Sequence, residues 1–306
     1  MRLLTRTAAA AAALAPAFAH AAATAPSLPW WGWPILLFVT TFLMGIVAVV
    51  GGIGGGVLFV PIVGGFFPFH LDFVRSAGLL LALCGSLASG PGLLRSGLAN
   101  LRLAMPLALT GSVGGIAGAL IGLALPTRVV QVALGTTVLL IALLMWWTRH
   151  SRQESAHEAD RWAIALGLYG RYHDPAVGHD VHWKVHRTGW GLVTFFGIGM
   201  VGGLFGLGAG WANVPTLTLL MGIPLKLALG TSGLAISIIN TSAAWVYMNN
   251  GALLPILHVP SILGVMLGAR VGVRMLKRIS SATAHRIVIA ALVVAGLRAL
   301  TQGLGF

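Results

Sequence analysis

Apolar residues run through this chain in long blocks, and polar positions mainly punctuate the blocks. Trp33 to Val50 forms the first block and Val57 to Phe69 a short second one; Ser76 to Leu94, Leu101 to Leu125 and Val129 to Trp147 follow. A polar stretch from Thr148 to Arg187 interrupts. Beyond it come Gly189 to Leu204, Trp211 to Ile223, Leu227 to Met248, Leu253 to Leu276 and Ala284 to Leu300. A helix needs about 20 apolar residues to cross the hydrocarbon layer. The pattern therefore predicts an all-α polytopic membrane protein, with five segments on each side of the polar stretch. The second segment of each set is short, so it is either steeply placed or re-entrant.

The two sets resemble each other. GIGGGVLFVP (Gly52 to Pro61) returns as GLGAGWANVP (Gly206 to Pro215), 154 residues further on when the prolines are matched. RSAGLLLALCGS (Arg75 to Ser86) lies on GTSGLAISIINT (Gly230 to Thr241) with one gap, and SGLANLRLAMP (Ser96 to Pro106) lies on NGALLPILHVP (Asn250 to Pro260). Gly114, Gly118 and Gly122 recur at spacing four, as do Gly264, Gly268 and Gly272. Glycine at that spacing lines one helix face and lets another backbone approach, which reads first as helix packing. The expected division is a repeat over 33–147, a polar central loop over 148–187 and a second repeat over 188–306.

Composition excludes most soluble classes. Hydrophobic residues make up 57% of the chain and charged ones 8%, and the mean hydropathy is +0.92, against about 25% charged residues in soluble domains. The net charge of +13 is no nucleic-acid footprint, because the basic residues are scattered among apolar blocks. They read as topology signals. Residues 1–23 read as a signal peptide, with Arg2 and Arg6, an alanine-rich run and small residues at Ala19-His20-Ala21; the alternative is an uncleaved helix. From an outside start, five crossings per half put Arg95, Arg102, the central loop, Lys226 and the cluster Arg274, Lys277 and Arg278 inside. Arg75 and Arg128 disobey. Five is odd, so the halves would be inverted repeats. Cys84 is the single cysteine, which rules out an internal disulfide and suggests a packing residue.

The paired glycine motifs, GIPLKLALGTS (Gly222 to Ser232) and the GxxxG helices resemble the TauE/SafE family of sulfite-exporter-like permeases, over about Trp33 to Leu300. The resemblance implies a carrier in the bacterial inner membrane for small sulfur-containing anions such as sulfite or organosulfonates. It implies no enzyme activity, no cofactor and no metal. The partners it implies are a small anionic solute and the lipid bilayer, with self-association into a homo-oligomer left open. Two departures matter: VRSAG stands in the first half where LGTSG stands in the second, and the central loop is long and rich in histidine.

Residue chemistry fits an anion. Broken helices at corresponding points of two halves point to a transporter's binding site. A half-helix starting after a break aims free N–H groups and a positive dipole end at it. Val57 and Trp211 are the predicted starts. Gly52, Gly54, Gly55, Gly56 and Pro61 form the first candidate cradle, and Gly206, Gly208, Gly210 and Pro215 the second. Asn213, Thr231, Ser232, Asn240, Thr241 and, from the first half, Ser86 are the candidate polar contacts, with Ser242 beside them. The plainer alternative is that such hydroxyls bond their own helix. No carboxylate lies in any of these segments, so nothing there repels an anion or offers a cation a site.

Other polar residues carry weaker readings. Arg270 and Arg298 are intramembrane candidates near enough to an interface to snorkel. Arg75 is a candidate for attracting anions at the outer mouth, with Asp72 as its plainer partner. His179, His182 and His186 would share a face if helical, a spacing a metal uses; a solvated linker with interfacial Trp162, Tyr169, Tyr172 and Trp183 is the competing expectation. GTSG (Gly230 to Gly233) matches the pattern of intramembrane serine proteases, with His258 or His285 as the required base. That alternative explains neither the duplication nor the paired breaks. A non-transporting membrane subunit is the third reading.

Overall fold

Glycine and proline decide where the apolar blocks become helices, because one lacks side-chain restraint and the other lacks a donor. In the computed structural model, described over residues 29, 31–51, 55–95, 99–148, 160–174, 179–208, 210–275 and 281–305, glycine or proline stands at one end or both of four helices, Gly32–Gly51, Gly55–Phe66, Gly210–Pro215 and Pro255–Met275. Gly52, Gly54 and the expected signal peptide lie outside the described residues, as do His150 and His157. The first half contains α1 (Gly32–Gly51), α2 (Gly55–Phe66), α3 (Leu71–Arg95), α4 (Leu101–Ala124) and α5 (Thr127–Thr148). The second contains α7 (Thr188–Phe205), α8 (Gly210–Pro215), which runs into a π-helical turn (Thr216–Leu220), then α9 (Leu225–Asn249), α10 (Pro255–Met275) and α11 (Ser281–Leu304). Between them stand the short α6 (Arg161–Ala165) and an antiparallel hairpin of β1 (Tyr169–Asp174) and β2 (His179–Lys184). Among the described residues five helices are long and apolar enough to cross a membrane: α4, α5, α7, α9 and α10. Shorter apolar stretches lie in α1, α2 and α11. The chain is an all-α polytopic membrane protein.

Helix directions follow from the side-chain contacts. Trp33 packs on Phe67 and Phe69, with ring centroids 6.1 and 6.0 Å apart, so α2 returns to the starting end of α1. Gly64 sits against Leu71 and Val74, and Gly56 against Gly78, so α3 turns back along α2. The end of α4 lies beside the start of α3, since a Cβ on Gly122 would stand 2.7 Å from the Arg75 guanidinium. α4 therefore runs opposite to α1.

The halves then exchange helices. α4 packs on α7, with Gly111 against Gly199 and Gly115 against Gly203, so these two run in parallel. α1 packs on α10 in the same sense, Gly264 meeting Phe38 and Thr41 while Gly268 meets Phe42. α7 thus runs opposite to α1, as an inverted second half requires. α3 lies against α9, and α5 against α11. At Gly45 an added Cβ would come within 2.6 Å of the Val265 carbonyl, so no larger side chain fits that crossing. Lipid tails are as apolar as leucine and supply no hydrophobic drive between helices, so backbone approach of this kind carries the association.

The described part of the central stretch packs against the bundle, unlike a solvated linker. Ala163, Leu168, Trp183 and Val185 are buried in one apolar cluster with Leu103, Phe195, Met221 and Leu227. This packing closes the end of the bundle where α4, α7 and α9 begin. Asp160 pins it: its carboxylate accepts from the Ala163 N–H (2.7 Å), the Thr188 N–H (2.6 Å) and the Thr188 hydroxyl (2.8 Å). Trp162 and Tyr169 are exposed as an interface would have them, but Trp183 is core. His179 and His182 lie on a strand and not on a helix. The shared helical face expected of His179, His182 and His186 is therefore absent, and the described residues contain no metal-binding cluster.

Candidate functional site

Two interrupted helices meet at the centre of the fold. α2 begins at Gly55 and α8 at Gly210, two residues and one residue before the predicted starts at Val57 and Trp211. Gly206 and Gly208 hold φ of 72° and 71°, a left-handed conformation that costs an L-residue about 1–2 kcal/mol. Gly206 presses on the backbone of Arg75, and its carbonyl fills the place a side chain on Gly78 would need. A Cβ on Gly56 would stand 2.7 Å from both the Gly78 and the Leu207 carbonyl oxygens. The start of the first half-helix thus lies directly against the backbone of the second break. The prolines add to it. Pro61 and Pro215 have no N–H, so the carbonyls of Val57 and Trp211, one turn earlier, lose their helical donors. A π-helical turn follows Pro215, with the Met221 N–H donating to the Thr216 carbonyl at 3.0 Å.

Polar side chains gather at the second break. Asn213 is fully buried, and neither its amide nitrogen nor its amide oxygen has a hydrogen-bond partner among the described residues. The Trp211 indole N–H is likewise buried and without a partner among the described residues, with its ring packed between the two main apolar clusters. Asn240 is buried, and its amide nitrogen lies 3.1 Å from where a Cβ on Gly208 would sit. Ala82 touches Gly208 from the first half. One turn further along α3, Ser86 pairs with Ser237 at 2.8 Å, a hydroxyl bridge between α3 and α9. Ser86 also donates to the Leu83 carbonyl of its own helix.

The other candidates are placed differently. Thr231 is buried, but its hydroxyl accepts the Asn100 N–H at 3.2 Å and so caps the start of α4. Ser232 is buried beside it, about 12 Å along α9 from Asn240. Thr241 is exposed and donates to the Ser237 carbonyl of its own helix at 2.7 Å; Ser242 does the same to Ile239. Pro61 is buried and Pro215 half-buried within their helices. The structure therefore brings together Gly56, Gly206, Gly208, Gly210, Asn213, Asn240 and Ser86, and sets Thr231, Ser232 and Thr241 apart. Two polar groups at this junction escaped the sequence reading. Ser237 was masked because the repeat alignment pairs Ser86 with Thr241, one turn further along. The Trp211 indole reads as an ordinary apolar start to a helix.

The charged residues near the break are held. The Arg75 side chain is 3% exposed and forms an ion pair with Asp72. It also donates to the Gly122 and Leu204 carbonyls, both at 3.0 Å, and its guanidinium stands 5.4 Å from the centre of the Tyr247 ring. The Tyr247 hydroxyl donates to the Gly203 carbonyl at 2.9 Å. The Leu204 and Gly203 carbonyls end α7, so a cation there complements the helix dipole. Arg75 is thus a clasp between the halves, not a free anion attractor at the mouth. Arg270 is exposed, while Arg298 donates to the Gly65 carbonyl and ties α11 to α2.

Of the two histidines the protease pattern could use, His258 is too far from Ser232 to act as its base. His258 is buried at the start of α10, where its ring meets the Ser76 hydroxyl at 3.3 Å and the Leu254 backbone. Ser232 lies near the other end of α9, about 25 Å of helix away from Asn249. His285 lies in α11, and its side chain is outside the described residues.

Comparison with known proteins agrees with this geometry. The family model described as "Sulfite exporter TauE/SafE" matches residues 37–299. A "Probable membrane transporter protein YunE" from Bacillus subtilis (strain 168) is 21% identical over 278 residues, covering 88% of this chain and 98% of that protein. No solved structure matches the chain.

Proposed function

The chain belongs to the sulfite exporter TauE/SafE family, and on that premise we propose that this membrane transporter carries small anions, sulfur-containing ones such as sulfite or organosulfonates, across the bacterial inner membrane. The observation that carries the proposal is the meeting of the two breaks, with Gly56 on Leu207 and a fully buried Asn213 beside them. Irregular backbone at membrane depth persists only where protein or a cavity satisfies it. The start of α2 supplies N–H groups and a positive dipole end to that place. The sole carboxylate in the apolar helices, Asp72, is neutralised by Arg75.

The proposed mechanism is alternating access. The two halves rock about the meeting of the breaks, with the domain division at residues 33–147 and 188–306. The usual carboxylate proton carrier is absent from the break, which favours facilitated or potential-driven export. The test is flux through purified full-length protein in vesicles, against sulfite, thiosulfate, organosulfonates and carboxylates. Saturable movement of the sulfur oxyanions is expected, and Gly208→Ala should slow it several-fold, because a Cβ would stand 2.9 Å from the Ala82 methyl. Empty-vesicle rates for every anion would refute the proposal. Gly56→Leu reports on folding instead, since its Cβ meets two backbone carbonyls.

A further inference from the structure

We infer that the second break binds an oxyanion that itself carries a hydrogen-bond donor, such as a monoprotonated inorganic oxyanion or a hydroxyl-bearing sulfonate. The inference rests on the anion-permease reading and sharpens its substrate class.

Asn213 is the basis. It is 0% exposed, and both polar ends of its amide lack a partner among the described residues. A buried polar group without a partner is rare in folded proteins, and each one asks for an explanation such as a ligand. A carboxamide has two kinds of need at once. Its NH2 wants an acceptor, and its carbonyl oxygen wants a donor. Turning the amide over exchanges the two ends without removing either need. A fully deprotonated oxyanion offers only acceptors. It satisfies the NH2 and leaves the Asn213 oxygen facing another oxygen.

The backbone deepens the asymmetry. Pro215 has no N–H to give the Trp211 carbonyl one turn before it, so that position of α8 lacks its regular helical donor. A donor is present too, in the buried Trp211 indole N–H. A ligand with a single negative charge and one O–H or N–H matches this mixed lining; a purely accepting one does not. Polar sites of this kind discriminate strongly against analogues lacking the matching group, because the site's own buried atoms are then left unpaired.

The experiment compares ethanesulfonate with 2-hydroxyethanesulfonate, equal in charge and near in size, as competing solutes for purified full-length protein in vesicles. The wild type should favour the hydroxyl-bearing anion by about tenfold, and Asn213→Leu should reduce that preference to near unity. Should the leucine variant fail to fold, Asn213→Met fills the same space with a more adaptable side chain and carries the same expectation. Equal handling of the two anions by the wild type, or a preference that survives in the folded variant, overturns the inference and leaves the permease reading standing. Movement of neither anion, nor of any other in the flux panel, removes the permease reading and the inference with it.

Discussion

Arg75 illustrates how one residue's reading changes with its surroundings. In the sequence it is a lone cation at the start of an apolar block, on the side where cations are disfavoured. In the structure it ties Asp72, Gly122 and Leu204 together beneath Tyr247. Removing one member of a buried ion pair is far more damaging than losing a surface pair, because the partner's charge is stranded. Asp72 keeps 30% of its side chain exposed, so the cost falls toward the lower end of the range, at roughly 3 kcal/mol. Arg75→Gln should therefore lower the melting temperature of the detergent-solubilised protein clearly, and Asp72→Asn should lower it less. Arg75→Lys should not restore the parent value, since a compact ammonium cannot reproduce the planar fork that reaches two carbonyls and a carboxylate. Equal melting of Arg75→Gln and the parent would show that the clasp contributes nothing.

Elements were legible in the sequence to different degrees, for physical reasons. Long apolar blocks read directly as helices, because a membrane offers no other use for them. The GxxxG faces read correctly as packing surfaces, since only backbone approach needs glycine every fourth residue; which helix each face meets was invisible. Pairing of Gly114 with Phe196 and of Gly268 with Phe42 joins opposite halves, and no local signal encodes it. The break glycines and Asn213 were legible because their residue types are wrong for a helix in lipid. The Thr231 cap was not, because a hydroxyl beside a break looks the same whether it meets a ligand or an Asn100 N–H. The central stretch misled for a similar reason. Its polar composition hides four buried side chains and the Asp160 anchor.

That anchor makes a pH prediction. Partial burial works against ionisation of Asp160, but hydrogen bonds from the Ala163 and Thr188 N–H groups and the Thr188 hydroxyl, helped by nearby His186, hold its carboxyl below the ordinary carboxylate range. A depressed folded-state value means that the unfolded chain takes up the proton first. The stabilisation is complete above the unfolded value of about 3.9 and is lost as pH falls through the folded one. Thermal unfolding measured from about pH 6 down to pH 3 should show falling stability, and Asp160→Asn should flatten that slope. A variant with the parent's slope would remove Asp160 from the explanation.

At the scale of the whole molecule, the exchange of helices decides how the chain can fold. In the first half, α1 has its closest partner in α10 and α4 has its closest partner in α7; α3 and α5 likewise face α9 and α11. Inside each half the large glycine-lined faces therefore have nothing to meet. α10 would leave Gly264 and Gly268 against lipid, which cannot enter the space made for Thr41 and Phe42. The polar links run the same way: Ser86 to Ser237, Ser76 to His258, Asn100 to Thr231 and Arg75 to Leu204 each join the two halves. A half expressed alone would strand these groups in hydrocarbon, where each unsatisfied polar group costs several kcal/mol. Fragments 1–159 and 160–306, cut ahead of Asp160 so that its bonds to Ala163 and Thr188 stay intact, should each be degraded or aggregate when produced separately. Produced together in one cell, they should copurify through a tag on either one. A first fragment that stands alone as a monodisperse species in detergent would show that its own contacts suffice, and that the exchange of α1 and α4 across the molecule is not what holds the bundle together.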